Sequence, residues 1–322
     1  MEYVRKNYET DAKHYRVTKL IGDVSMRQYF RYSSDNEKPC ILAVYPEPFD
    51  PNCFNYKEIY GLFDSIGIPV PKILDIDGSL GIVLQQDLGT VTLQDHLITA
   101  DGSERDQRIH EAIDHIVTIQ HQGSQRINSN YQAAGLFFDR KKLNWEFTFF
   151  RKHYLHNYRK FNEDNFPGLE EEFNRIADEL STMPQVLCHR DYHVRNLMLF
   201  QDKLYVIDFQ DARWGPTTYD LASLLKDSCN LSVSETDGHI DYFLEKSNLE
   251  KPQNLFKKQF HLTVVQRLLK ALGTFAYQVF VRENFLYEQY MAGSLKQTLI
   301  SLDFLEEFPS IRNMIEREIS NS

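Results

Sequence analysis

Cysteine is scarce in this chain: Cys40, Cys53, Cys188 and Cys229 are four among 322 residues. No two lie close together in sequence and none forms a CxxC pair, so a disulfide framework or a zinc site is only the lesser alternative to reduced thiols in a cytoplasmic protein. Long apolar runs are missing too. None approaches the ~20 residues that a membrane-spanning helix needs, and Met1 to Thr10 is polar, without the apolar stretch of a secretory signal. Positive charge is in deficit, with 36 basic against 46 acidic residues and a formal net charge of -10. A nucleic-acid or anionic-membrane binder presents a basic face, so neither partner is expected. A phosphate pocket remains allowed, because local charge decides that. Internal repeats, low-complexity linkers and coiled-coil heptads are likewise absent.

What is present is an ordinary globular composition, 42% hydrophobic and 25% charged, on a chain long enough for two lobes around a cleft. Val17 to Ile21, Met26 to Tyr32 and Cys40 to Tyr45 read as strands, rich in β-branched and aromatic residues and bounded by turn signals. Asn52 to Ile66 reads as a helix with Tyr56, Ile59, Phe63 and Ile66 on one stripe, ended by Gly67. Val70 to Ile76 and Leu80 to Leu84 give two further strands around Asp77-Gly78. Past Leu88 the period changes to that of helices. Ile109, Ile113, Ile116 and Val117 form one apolar stripe, and Leu169, Phe173, Ile176, Ala177 and Leu180 another. Gln259 to Phe280 is apolar enough for a core helix. The fold class expected is α+β in two lobes, a small β-rich lobe over 1–88 and a larger helical lobe over 89–322.

One segment breaks the helical pattern. His189-Arg190-Asp191-Tyr192-His193-Val194-Arg195-Asn196 leads into Leu197 to Phe200, a polar turn at Gln201-Asp202-Lys203, and Leu204 to Ile207 ending in Asp208. Two four-residue apolar runs around a short turn read as a hairpin. In an antiparallel hairpin the residue before the first strand lies beside the residue after the second, so Asn196 and Asp208 meet at one end. An amide oxygen and a carboxylate converging there make a hard-cation site, which Mg2+ would share with phosphate oxygens and water. Asp191 precedes Asn196 by five residues and faces the same place. Taken singly, such residues are often caps, and His189 and His193 also spell HxxxH. That second motif lacks the following glutamate and the helix of a metalloprotease site.

The spacing HxDxxxxN followed by an aspartate resembles a kinase catalytic loop. The wording of Ile207-Asp208-Phe209-Gln210-Asp211-Ala212, Gly215-Pro216 and Tyr219-Asp220-Leu221-Ala222-Ser223-Leu224-Leu225 is similar to the aminoglycoside phosphotransferase and choline kinase superfamily, which has a protein-kinase-like fold. Ser25-Met26-Arg27-Gln28-Tyr29-Phe30-Arg31, Gln86-Asp87-Leu88-Gly89 and Gln266 to Phe275 look most like its bacterial anomeric kinases of N-acetylmuramate and N-acetylglucosamine, which serve cell-wall sugar recycling. The resemblance spans about residues 17–300. It implies ATP and Mg2+ as cofactors, Asp191 as the catalytic aspartate, and Asn196 and Asp208 as metal ligands. It further implies Gln85, Gln86, Asp87 and Leu88 as an adenine-binding hinge, and Asp220 as acceptor for catalytic-loop backbone N–H groups, where a plain helix-start cap is the alternative. His193 would touch substrate or brace the loop.

The chain departs from the general kinase pattern twice. Ile21-Gly22-Asp23-Val24-Ser25 has one glycine in place of a glycine-rich loop. Ile41-Leu42-Ala43-Val44-Tyr45-Pro46 has no lysine where the third strand normally supplies one to the phosphates. Ser25, Arg27, Tyr29 and Arg31 alternate onto one face of the second strand, so Arg27 or Arg31 would replace that lysine, with Glu58 as partner; a surface ion pair is the other reading. Gln210, Asp211 and Glu146 are the substrate-side candidates, Glu146 being equally readable as a solvated residue beside Trp145. Arg213-Trp214 would stack on a sugar or pack under Pro216. The function implied is phosphorylation of a small-molecule sugar at its anomeric hydroxyl. The alternatives are another small alcohol (an aminoglycoside, choline or homoserine) or a pseudokinase, which the missing lysine favours and the intact Asp191, Asn196 and Asp208 oppose. Oligomeric state has no signature in the sequence.

Overall fold

The computed structural model describes residues 15–20, 27–35, 37–52, 54–161, 166–227 and 231–320. Five antiparallel strands form the first sheet in the order β1-β2-β3-β5-β4. They are β1 (Tyr15–Leu20), β2 (Gln28–Ser34), β3 (Cys40–Val44), β4 (Ile73–Asp77) and β5 (Ile82–Gln86). Helix α1 (Asn55–Ser65) crosses between β3 and β4. Its buried stripe of Tyr56, Ile59, Leu62 and Phe63 packs on Ala43 and Val83 of the sheet. The strand read over Met26 to Tyr32 starts later, at Gln28, and Met26, like Ser25 and the rest of 21–26, lies outside the described residues. The strand read over Val70 to Ile76 begins only at Ile73. Pro69 and Pro71 carry no N–H for a ladder, and the Pro69 carbonyl instead accepts from Val206 N at 2.8 Å.

The rest is largely helical: α2 (Leu93–Thr99), α3 (Gly102–Thr118), α4 (Arg140–Phe150), α5 (Leu169–Ser181), α6 (Tyr219–Lys226), α7 (Val233–Ser247), α8 (Gln253–Arg282), α9 (Met291–Leu305) and α10 (Pro309–Ser320). α3 and α4 each run on into a wider, π-helical stretch, Ile119–Gly123 and Arg151–Tyr158. α8 covers 30 residues, about 45 Å at 1.5 Å per residue. It lies tight on the end of α4: a Cβ at Gly273 would stand 2.8 Å from Phe150 Cα, so glycine is required there. One core joins the sheet and α1 to the helical part through Ile59, Phe63, Leu197, Val206 and Phe209, all fully buried. A second core around α8 gathers Phe147, Phe150, Leu269, Leu272, Met314 and Ile315.

Two short two-stranded sheets interrupt the helices, β6 (Gln185–Cys188) with β9 (Arg213–Pro216), and β7 (Leu197–Phe200) with β8 (Lys203–Val206). The second is the expected hairpin, with a correction. Lys203 pairs with Phe200, so the turn is Gln201-Asp202 alone. Both turn residues have positive φ, 50° and 60°, as a two-residue hairpin turn of primed type demands. Lys203 is polar because it is an exposed strand residue, not because it turns. Among the described residues no helix is long and apolar enough to cross a membrane. Cys40 and Cys188 are both buried; Cys53 and Cys229 lie outside the described residues.

Candidate active site

Everything between His189 and Ala212 is held at both ends. β6 delivers the chain into the loop and β9, paired with it, carries it away. Inside this frame the backbone is pinned from several sides. The Asp220 carboxylate, fully buried on α6, accepts from His189 N at 2.7 Å and Arg190 N at 3.0 Å, so it braces the loop rather than capping its own helix. Arg267 of α8 donates to the Arg190 carbonyl at 2.8 Å and to Asp227 at 2.6 Å. Tyr192, fully buried, donates to the Ala112 carbonyl at 3.0 Å. His189 Nε2 donates to the Ile207 carbonyl at 2.9 Å, tying the start of the loop to the strand end before Asp208. These ties hold Arg190 at φ 89°, a conformation costing about 1–2 kcal/mol for a residue other than glycine.

Asp191 sits at the open side of this loop, its side chain 25% exposed, with Arg190 Nε at 3.5 Å and Lys270 Nζ at 3.6 Å. Burial pushes its carboxyl up, but Lys270, Arg190, Arg267 and His193 outweigh this and hold it well below the usual carboxylate range. It is therefore an ionised acceptor. Asn196 donates through Nδ2 to the Asp191 carbonyl at 2.9 Å, which commits the amide nitrogen and leaves the oxygen as the end available to a ligand. The ladder bond from Ile207 N to Asn196 O, 3.0 Å, places Asp208 one residue beyond Asn196's partner, at the same end of the hairpin. Asp208 is left-handed at φ 63°. Its Oδ1 accepts from Arg27 Nη2 at 2.6 Å and Gln210 Nε2 at 3.0 Å.

An amide oxygen and a carboxylate oxygen are hard donors that suit Mg2+, and two protein ligands are in keeping with a magnesium ion that keeps waters and phosphate oxygens as its other ligands. The HxxxH reading fails on geometry. His189 is fully buried between Phe63 and Tyr192 with Nε2 spent on a carbonyl. Among the described residues no three His, Cys, Asp or Glu side chains gather as a metal cluster. His193 is pushed down to about 4 by burial and by Arg195, and its backbone N–H donates to the Asp191 carbonyl at 3.0 Å.

The remaining candidates divide. Arg27 is in the site, on Asp208, and not on Glu58, whose carboxylate accepts from Gln132 N at 2.9 Å; the expected Arg–Glu58 pair is replaced by Arg27–Asp208. Arg31 forms a two-pronged bond to Asp87, at 2.6 and 2.9 Å, and donates to the Gly89 carbonyl at 2.7 Å, so it shapes the segment after β5. Gln85 accepts from the Tyr56 hydroxyl at 2.7 Å, and Gln86 N donates to the Lys72 carbonyl at 2.8 Å. The sheet ladder ends there, and Leu88 follows as a buried residue. Asp211 takes Arg190 Nη1 at 3.0 Å and is half-exposed. Glu146 is not solvated: it is 1% exposed, accepts from Gln266 Nε2 at 2.7 Å and has Lys142 Nζ at 3.6 Å. Trp214 stacks on Phe137, and Arg213 lies over Phe138.

Sequence reasoning missed the roles of Arg190, Gln266, Arg267 and Lys270. The last three stand on α8 among Val264, Val265, Leu268, Leu269 and Leu272. Gln266 and Arg267 are 0% and 5% exposed. Polar residues in a helix buried all round were the available signal, since each must find a partner.

Comparison with known proteins follows this geometry. Residues 16–250 match the model of the phosphotransferase enzyme family (APH). A protein of Neisseria meningitidis serogroup B named N-acetylmuramate/N-acetylglucosamine kinase is 28% identical over 280 residues, covering 82% of this chain and 79% of its own. A Pseudomonas aeruginosa protein of the same name is 31% identical over 274 residues, covering 79% and 74%. Among solved structures, the Plasmodium vivax ethanolamine kinase superposes with a TM-score of 0.67 at 13% identity, covering 92% of this chain and 85% of that one. The Cryptosporidium parvum choline kinase gives 0.65 at 14%, covering 98% and 96%. The fold is thus the two-lobed, protein-kinase-like α+β fold of these kinases.

Proposed function

Because this chain belongs to the phosphotransferase enzyme family, we propose that it transfers the terminal phosphoryl group of ATP to the anomeric hydroxyl of an amino sugar, N-acetylglucosamine or N-acetylmuramate. The observation that carries the chemistry is the single end of the hairpin where Asp191, Asn196 and Asp208 converge, with Asp191 kept ionised by Lys270 and Arg190. The names of the Neisseria and Pseudomonas relatives support the sugar.

Asp191 accepts or orients the proton of the attacking hydroxyl. An anomeric hydroxyl is more acidic than an ordinary alcohol, because the ring oxygen withdraws electron density, so a strongly ionised carboxylate suffices. Asn196 and Asp208 would hold Mg2+, which when bound neutralises charge on the phosphates. Arg27 supplies the cation that the third strand lacks, and Arg31 holds Asp87 and Leu88 in place beside the adenine, with Gln85 and Gln86 anchoring that hinge to the sheet. Asp211, His193, Gln210 and Glu146 line the acceptor side, where Gln210 steadies Asp208 and Gln266 and Lys142 hold Glu146. Residues 1–88 act as the nucleotide lobe and 89–322 as the lobe carrying loop and acceptor. Cytoplasmic sugar recycling, without nucleic-acid or membrane partners, fits this activity.

The test is a panel of amino sugars, hexoses, choline and aminoglycosides with ATP and magnesium, with the product position read by phosphorus NMR. A reducing amino sugar should be consumed and its 1-O-methyl glycoside left untouched. Equal phosphorylation of the glycoside would move the reaction to another hydroxyl, and turnover of choline alone would replace the sugar.

A further inference from the structure

The third strand ends at Val44 and Tyr45 follows it, so the run Ala43-Val44-Tyr45 stands where a kinase of this general fold places alanine, a residue and then the phosphate-binding lysine. Tyr45 thus stands where the lysine would be. The register of β2 and β3 says what lies opposite. Tyr29 pairs with Ala43 and Gln28 with Val44, so Arg27 and Tyr45 come next on the two strands and face each other. Arg27 Cζ is 5.7 Å from the centre of the Tyr45 ring and 5.9 Å from that of Tyr29. The Tyr45 ring is itself fixed, edge-on to Phe49 and Phe54 at 5.1 Å each, with its backbone N–H donating to the Gly81 carbonyl at 2.7 Å. Arg27 leaves this aromatic wall to reach Asp208 at 2.6 Å. Glu58, the acidic residue on the neighbouring helix, is turned to Gln132 instead of to any cation at position 45.

We infer that the phosphate-binding cation has moved across the strand pair, from position 45 to position 27, and that Tyr45 is a positioning residue whose ring aims Arg27 at the outer phosphates. This rests on the kinase reading above. Directly opposed residues in an antiparallel pair have Cβ atoms about 4.5–5.5 Å apart. A long side chain rooted at either position therefore reaches the same point over Asp208. Guanidinium on an aromatic face is held by cation–π attraction, which an ammonium at position 45 would not need, since the strand itself would aim it.

The inference predicts that the cation can be moved back. Binding of ATP and AMP to the full chain with magnesium is measured by calorimetry, alongside thermal melting of each variant. Arg27→Ala should weaken ATP by about tenfold to a hundredfold, the scale of losing a charge-assisted bond to phosphate, with AMP changed by less than about threefold. Adding Tyr45→Lys to Arg27→Ala should restore at least about tenfold of that loss for ATP alone, and Tyr45→Met in the same background should restore none. If the lysine variant melts without a cooperative transition, Tyr45→Arg takes its place. A folded double variant no better than Arg27→Ala, or equal recovery with methionine, overturns the inference while leaving the kinase reading standing. Failure of the unaltered protein to bind ATP overturns both.

Discussion

At the scale of single residues, the site is organised around keeping one carboxylate charged in a partly buried place. Asp191→Asn keeps the size and removes the acceptor. Turnover should fall by on the order of a hundredfold or more, the scale of a positioned base, with nucleotide affinity nearly intact; unchanged turnover would take Asp191 out of the mechanism. Lys270 acts on Asp191 from 3.6 Å. Burial pulls the carboxyl pKa up and the cations pull it down, so removing a cation moves the pKa up. Lys270→Met should therefore shift the acid limb of the rate profile to higher pH, because a base is lost as soon as it is protonated. A limb that stays in place would show that Arg190 and Arg267 suffice. The part played by Lys270 was not legible from the motif, since it lies 79 positions beyond Asp191 and only the fold brings them together.

At the scale of elements, the β7–β8 hairpin was the most legible part of the chain. Its apolar runs, its short turn and its flanking Asn196 and Asp208 follow from strand geometry alone, and the register bears them out. The turn was a residue too long in the sequence reading because polarity marks both turns and exposed strand positions. Gln201 takes a positive φ in that turn with a side chain that disfavours it. Gln201→Gly should raise stability by about 0.5–1 kcal/mol, measured by urea unfolding, and leave turnover unchanged. A loss of stability would mean that the turn is not of the primed type. β2 was legible as a strand but not in its start. Arg31 was legible as a charged residue facing the cleft, yet its partner Asp87 is set by where β5 ends.

At the scale of the whole molecule, two cores meet along α8, and titratable groups buried there link stability to acidity. His193 and His261 are both pushed down to about 4 by burial. In the unfolded chain each would take a proton near pH 6.5. Between pH 6.5 and 4 the unfolded state therefore binds more protons, and stability falls as pH falls. The full contribution is present above pH 6.5. The slope should approach about 1.4 kcal/mol per pH unit for each histidine. Urea unfolding across this window would measure it, and His261→Gln should make it shallower, while His115, His153 and His239, which burial also pushes down, add to the slope that remains. A slope that His261→Gln leaves unaltered would show that His261 takes its proton as readily in the folded chain as in the unfolded one. The two-lobed α+β plan was legible from the change of hydrophobic period past Leu88. The weight borne by α8 was not, because an apolar run announces burial and says nothing of which neighbours it will meet.

That helix has a consequence for how the enzyme can change. Gln266 holds Glu146, proposed above for the acceptor side, Arg267 holds the loop backbone, and Lys270 holds Asp191. Three functions ride on one rigid rod, within five consecutive positions. On the function proposed above, acceptor choice and base strength would not be separable traits. A substitution at Gln266 that admits a different sugar also disturbs the setting of Lys270 one turn away, and its fitness depends on what occupies position 270. In a double-mutant cycle, Gln266→Ala and Lys270→Met should be non-additive in kcat/KM by about 0.5 kcal/mol or more, as expected of residues sharing one network.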